Sequence, residues 1–231
     1  SIFLTFLLLV GFVCANVTSG YVFELGIVDN DQDVEERLDR DNVLDMGSSD
    51  VEMPYEDTGQ GDPQVIGLRY PGVAIPKGST ILSAYVQFQI DEDKGGTEPV
   101  SLVIDGDLAA DAAPFGDPFS VTNRTRTAAQ VAWTDVPNWT NVGDRGPDQA
   151  TPDLTAIIQE IIDQDDWAIG NALVLIISDD PANPSLGIRC AEAGPGDDSA
   201  TLIVEFTSPV SFNPIPADGA IEVDTTTLEF S

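Results

Sequence analysis

The stretch that decides the fold is Ile81-Leu82-Ser83-Ala84-Tyr85-Val86-Gln87-Phe88-Gln89-Ile90. Leu82, Ala84, Val86, Phe88 and Ile90 alternate with Ser83, Tyr85, Gln87 and Gln89. Period two puts successive side chains on opposite faces of a strand, so one face is buried and the other wet. A helix would need apolar residues three and four apart, and these are two apart.

The same reading extends outward in both directions. Gln64–Tyr70 (QVIGLRY) predicts the preceding strand, and Val73–Thr80 a turn broken by Pro76 and Gly78. Asp91–Pro99 (DEDKGGTEP) is a loop, after which Val100, Leu102 and Ile104 alternate again. Val131, Trp133 and Trp139 point to the core. Ala172–Ile177 (ALVLII) is continuously apolar over a strand's length, which suits a central strand. Ala200, Leu202, Val204 and Phe206 form the inward face of a last strand.

One helix interrupts the strands. Thr151-Pro152-Asp153 predicts its start, with Thr151 as N-cap and Pro152 as first helical residue. Leu154, Ile157, Ile158, Ile161 and Ile162 then fall on one face, and the helix should run to about Trp167. Many short strands, 20 Gly, 16 Pro and a single helix predict an all-β fold: a jelly-roll β-sandwich with one amphipathic α-helix, over residues 16–207.

At the start, Ile2–Val13 is apolar but too short to span a bilayer. With Val13-Cys14-Ala15 as a small-residue cleavage site, residues 1–15 read as a signal peptide lacking its own beginning. A retained apolar helix is the competing reading. Residues 208–231 read as a Pro/Gly linker and the start of a further β domain that is cut short. The expected location is secreted, extracellular or on the cell surface.

The charge is strongly one-sided: 28 Asp and 12 Glu against nine Lys and Arg, a net −31. Nucleic acid, whose phosphates need cationic contacts, is excluded as a partner. Asp favours loops and turns, so the acid sits largely between strands. It serves either as solvated surface or, in places, as hard oxygen ligands for Ca²⁺. There is no His, which removes imidazole metal sites and Ser-His or Cys-His catalysis. No carboxylate pair is singled out, so the chain is expected not to be an enzyme. Cys190, in the alternating run Ile188–Glu192, reads as a buried free thiol. Arg69 and Arg189 lie in apolar strands and are expected to pair with buried acids.

Asp33 and Glu35 share one side of an extended chain, as do Asp50 and Glu52, while Asp197 and Asp198 lie in a Gly-Pro-Gly loop before the last strand. These six are the candidate Ca²⁺ ligands. Among the three tryptophans, Trp139 is the candidate exposed residue for stacking on a sugar, with packing in the core as the alternative. Asn123 and Asn138 head Asn-X-Ser/Thr sequons and are candidate glycosylation sites.

Several long segments resemble one family. They are DVEE (33–36), SSDVEM (48–53), VIGLRYPGVAIPKGSTILSAYVQFQID (65–91), VAWTDVPNW (131–139), VGDRGPDQATPDLTAIIQEII (142–162) and IRCAEAGPGDDSATLIVEF (188–206). Together they resemble the DNRLRE, or carbohydrate-binding-module-like, jelly rolls of large extracellular proteins. Asn213–Ala220 resembles the start of an immunoglobulin-like or fibronectin-like repeat. The first resemblance implies a jelly roll with a binding or scaffolding role. Similar lectin-like folds hold a structural Ca²⁺ between the first strand and a late loop. The expectation is therefore a non-catalytic module for adhesion, extracellular matrix or carbohydrate binding, stabilised by Ca²⁺. Its partners would be glycans, matrix or fibre proteins, or further copies of itself. Two alternatives stand beside it: a fibre subunit with no glycan ligand, and an accessory domain of a larger secreted hydrolase.

Overall fold

The computed structural model describes residues 20–57, 60–94 and 96–209. The expected signal peptide and nearly all of the expected linker and second domain lie outside them. Twelve strands form in chain order: β1 Gly20–Gly26, β2 Asp33–Arg37, β3 Val43–Asp45, β4 Asp50–Met53, β5 Tyr55–Asp57, β6 Gly61–Tyr70, β7 Thr80–Gln87, β8 Leu102–Gly106, β9 Val131–Trp133, β10 Leu173–Asp179, β11 Arg189–Glu192 and β12 Thr201–Thr207. One α-helix, α1 (Thr155–Ile162), lies between β9 and β10.

The strands make an antiparallel sandwich. One sheet has the order β1-β12-β7; the larger has β3-β2-β6-β10-β8-β9, with β5 paired to β6. A two-stranded ribbon, β11-β4, lies beside them. Early and late strands interleave in each sheet, as jelly-roll winding requires. No helix of the described residues is long and apolar enough to cross a membrane.

The main core fills the space between the sheets and under α1. Phe23, Leu25, Ile66, Leu68, Val86, Phe88, Leu175 and the helix face Ile157, Ile158, Ile161 and Ile162 meet there. Each fully buried Ile contributes roughly 1.5–3 kcal/mol of transfer free energy. The large sheet also has a second apolar face, where Val34, Val65, Val174 and Ile176 lie under Ala112, Phe115 and Val121. This explains ALVLII: alternate residues of β10 serve two cores, so no polar position is left. Gly67 is what lets the covering segment approach, since a Cβ there would lie 2.6 Å from Phe115 Cζ.

Two local expectations need correction. Leu82 is not inward but 48% exposed, and Ile81 takes its place in the core. Between Glu205↔Ser83 and Phe206↔Ile81 the pairing skips Leu82, so a bulge reverses the alternation. The helix is also shorter than expected, ending at Ile162 with its apolar face and not near Trp167. Asp163, Asp165 and Asp166 follow directly, and carboxylates are unfavourable at the negative end of a helix. Nor does Thr151 cap it. Its N–H donates to Val86 O (2.9 Å) and its Oγ1 accepts from Val86 N–H (3.0 Å), which pairs it with β7. Leu154 holds the N-cap position without a side-chain bond, and Asp153 just before it accepts from the Thr155 N–H and hydroxyl of the first turn.

Candidate cation site between β2, β4, β5 and β6

Strand alternation builds this site. Glu35 opposes Ile66, and Asp33 opposes Leu68, so both carboxylates share the inner face of the large sheet. Glu36 opposes Val65 on the outer face. In the ribbon, Glu52 opposes Cys190 and Asp50 opposes Glu192, so these four share a face while Val51, Met53 and Ala191 enter the main core. The acidic face of the ribbon therefore meets the acidic residues of β2.

Glu35 is 1% exposed. Its Oε1 accepts from Glu52 N–H (2.8 Å) and from Gln64 Nε2 (2.9 Å). Gln64 Nε2 also donates to Glu52 O (2.7 Å), so the amide orientation is fixed by two acceptors. Oxygen atoms of Glu35, Glu52 and Glu56 lie within 4.8 Å of one another. Three buried oxygens in this group, Glu35 Oε2, Gln64 Oε1 and Glu56 Oε2, make no hydrogen bond, and the last of them faces the Arg37 guanidinium. Arg37 Nη2 lies 3.8 Å from Glu35 Oε2, too far to bond it, and pairs instead with Glu56 Oε2 at 2.8 Å and Asp45 Oδ2 at 3.2 Å. Lys94 Nζ makes an ion pair with Glu52 Oε1.

Electrostatics follow from burial. Desolvation pushes the Glu35 carboxyl up to about 8; the Glu56 charge adds to the rise, and Arg37 opposes it. Burial also raises Asp33 to about 6, against the pull of the Gly194 N–H on its Oδ2. Glu36 makes the contrast. Its two oxygens accept from Val121 N–H (2.7 Å), Thr122 N–H (3.1 Å), the Thr122 hydroxyl and Asn42 Nδ2 (2.7 Å). A carboxylate so furnished needs no ion, whereas Glu35 leaves one oxygen unmatched.

The six expected ligands do not form one group. Glu35 and Glu52 come together, joined by Glu56 and Gln64. Asp33 is tied to Gly194. Asp50 falls in a second group with Asp91 and Cys190. There the Cys190 thiol points at Asp50 Oδ2 (3.1 Å), and burial with that carboxylate raises its pKa well above the usual range, so it remains a protonated donor. Asp198 acts electrostatically on Asp91 and Glu192, raising both alongside their desolvation, while Asp197 is exposed. For Gln64 a signal was present: it continues the inward alternation of Ile66 and Leu68, so a polar group was due on a core face. Glu56, on a three-residue strand after Pro54, carried no periodicity to reveal it.

Other expectations also change. Trp139 is not exposed: it is 1% accessible, donates Nε1 to Asp148 O (2.9 Å), and packs against Phe88 and Trp133. Trp133 and Trp167 are buried too, so no tryptophan offers a face for sugar stacking. Among the described residues Arg189 has no acid partner; its guanidinium donates to the carbonyls of Pro137, Ile188, Glu98 and Val136. Arg69 donates to the Ala112 carbonyl and also feels the charges of Asp111 and Asp31. Cys190 is free and buried, as its strand pattern implied. Asn123 and Asn138 are exposed.

Hard oxygen donors with one amide and three carboxylates suit Ca²⁺, which takes six to eight such ligands and completes its shell with backbone oxygens or water. No protein-family model matches the chain, and no curated protein matches it.

Proposed function

We propose that this chain is an extracellular, non-catalytic β-sandwich module that supports adhesion or matrix assembly and is held together by a structural Ca²⁺. The observation that carries it is the set of buried oxygens without a hydrogen bond, Glu35 Oε2, Gln64 Oε1 and Glu56 Oε2, inside a group of three carboxylates. Leaving such groups unmatched costs about 1–3 kcal/mol each, and a bound cation removes that cost. Glu35, Glu52, Glu56 and Gln64 would hold the ion, which supplies charge neutralisation and a crosslink between β2, the ribbon and β5-β6.

A scaffolding role is favoured over sugar binding because all three tryptophans are buried. It is favoured over glycoside hydrolysis as well. Glu35 has the raised pKa of a general acid, but such an enzyme needs its two carboxylates to flank a sugar and a water. Surface clefts at Glu24–Arg145, at Ser101–Asn183 and at Arg37–Asp45 include neither Glu35 nor Glu52.

The test is calorimetry of the whole chain with Ca²⁺ and with chelator. A saturating rise in Tm is expected, with Glu35→Gln and Glu52→Gln each abolishing it; an unchanged Tm overturns the cation reading. A glycan array is expected to be silent, and binding of a defined glycan would replace the scaffolding role with a lectin one.

A further inference from the structure

We propose that Lys94 is a tethered competitor of the divalent cation, so that the ion enters its site only by displacing this ammonium. The inference rests on the cation reading above and adds the regulation of that site.

Lys94 Nζ is paired with Glu52 Oε1, lies 3.5 Å from Asp50 Oδ2 and 3.8 Å from Glu92 Oε2. It thus touches one carboxylate from each of the two acidic groups, Glu52 of the first and Asp50 of the second. Its side chain is 26% exposed while that of Glu52 is 2% exposed, so the ammonium caps a buried carboxylate from the solvent side. A lysine brings one charge and only donors. It neutralises Glu52 yet leaves Glu35 Oε2 and Gln64 Oε1 without hydrogen bonds. A divalent ion brings two charges and accepts several oxygens at once, so both species want Glu52 but only the ion can use the rest of the group. The loss of the ammonium contact is then subtracted from the ion's binding, and the apparent Kd is the intrinsic one divided by the fraction of time Lys94 is undocked.

The composition supplies an internal reference. The chain has two lysines, Lys77 and Lys94. Lys77 pairs with Asp165 in a region outside the acidic groups and is exposed. Amine acylation of the whole chain, read by peptide mass spectrometry as the Lys94-to-Lys77 ratio, therefore reports displacement directly. We expect the ratio to rise several-fold on adding Ca²⁺, and Lys94→Met, which keeps the apolar stem, to lower the Kd for Ca²⁺ by roughly tenfold in titration calorimetry. If Ca²⁺ raises the Tm while the labelling ratio stays constant, the competitor role is overturned and the cation site stands. If only Lys94→Met binds Ca²⁺, the ammonium excludes the ion outright: competition is supported, and the structural Ca²⁺ of the native chain is overturned. If neither protein binds, both readings fail together. Labelling uses the native chain, so a variant that folds poorly does not remove the test.

Discussion

Arg189 shows how a single residue can be indispensable without a charged partner. Its guanidinium spans four carbonyls contributed by three separate segments around residues 98, 136–137 and 188. Burial pushes its pKa down to about 10, which still leaves it cationic at neutral pH. Replacement by Met strands several buried carbonyls at once, and each unsatisfied group costs about 1–3 kcal/mol. Arg189→Met should therefore lower stability by about 3 kcal/mol or more in urea denaturation. Arg189→Lys should recover only part, because an ammonium cannot reproduce the planar fork. A loss below about 1 kcal/mol would mean that water replaces the lost donors. The sequence exposed Arg189 as an anomaly in an apolar strand, but the nature of its partner was hidden, since carbonyls are present at every residue. Trp139 failed for the related reason: a flanking Asn and Thr say nothing about a ring that turns inward to meet Phe88.

At the scale of elements, the most consequential feature is the closure of β7. Its outer edge is met by Thr151 on Val86, by Leu154 N–H on Ala84 O (2.7 Å), by Asp153 Oδ1 on Ala84 N–H (3.2 Å) and by Gln159 Oε1 on Ile81 N–H (2.9 Å). A strand edge left open invites pairing with other chains, so the lead-in to α1 both starts the helix and covers the sheet. Asp153 serves both ends of this device. Burial pulls its pKa up, but the Thr155 hydroxyl and the Ala84 and Thr155 N–H groups more than offset that and hold it below the usual carboxylate value. A lowered folded pKa means stability that is present above the unfolded value of 3.8 and is lost as the pH falls toward the folded one. Asp153→Ala should cost about 1 kcal/mol at pH 7, as capping losses do, and the gap from the parent should close as the pH drops below 3.8. A gap that persists unchanged in acid would place the effect outside the carboxylate. The helix face and most strands were legible because their periods are unambiguous. The bulge at Leu82 was not, because it depends on pairing with β12, more than a hundred residues later.

For the molecule as a whole, the governing quantity is a net charge of −31. Self-repulsion of that size opposes compactness, and salt screens it. Raising NaCl from about 0.01 M to about 1 M shortens the Debye length from about 30 Å to about 3 Å. Thermal scans should show Tm climbing gradually over this range, with choline chloride giving the same curve, whereas the Ca²⁺ response should saturate. A Tm that falls with NaCl would show that the ion pairs of Arg37, Arg124 and Arg126 outweigh the general repulsion. Composition announced the acid excess and the β class. It did not announce which carboxylates would be buried, because that follows from sheet order, which brings β2 beside β6 and the ribbon beside both.

Glu35 and Glu36 are adjacent, identical in chemistry and opposite in fate. Strand β2 (DVEER) carries carboxylates on both faces, so it has no apolar alternation to state which side belongs inside. Its facing is specified instead by where hydrogen-bond donors stand. Besides the nearby Asn42, those that receive Glu36 come from Val121 and Thr122, 85 and 86 positions further along the chain. A slip of one residue would offer the outer donors to the wrong carboxylate. Much of what identifies the outer face of β2 is thus written in a distant loop that lies across the sheet beside it.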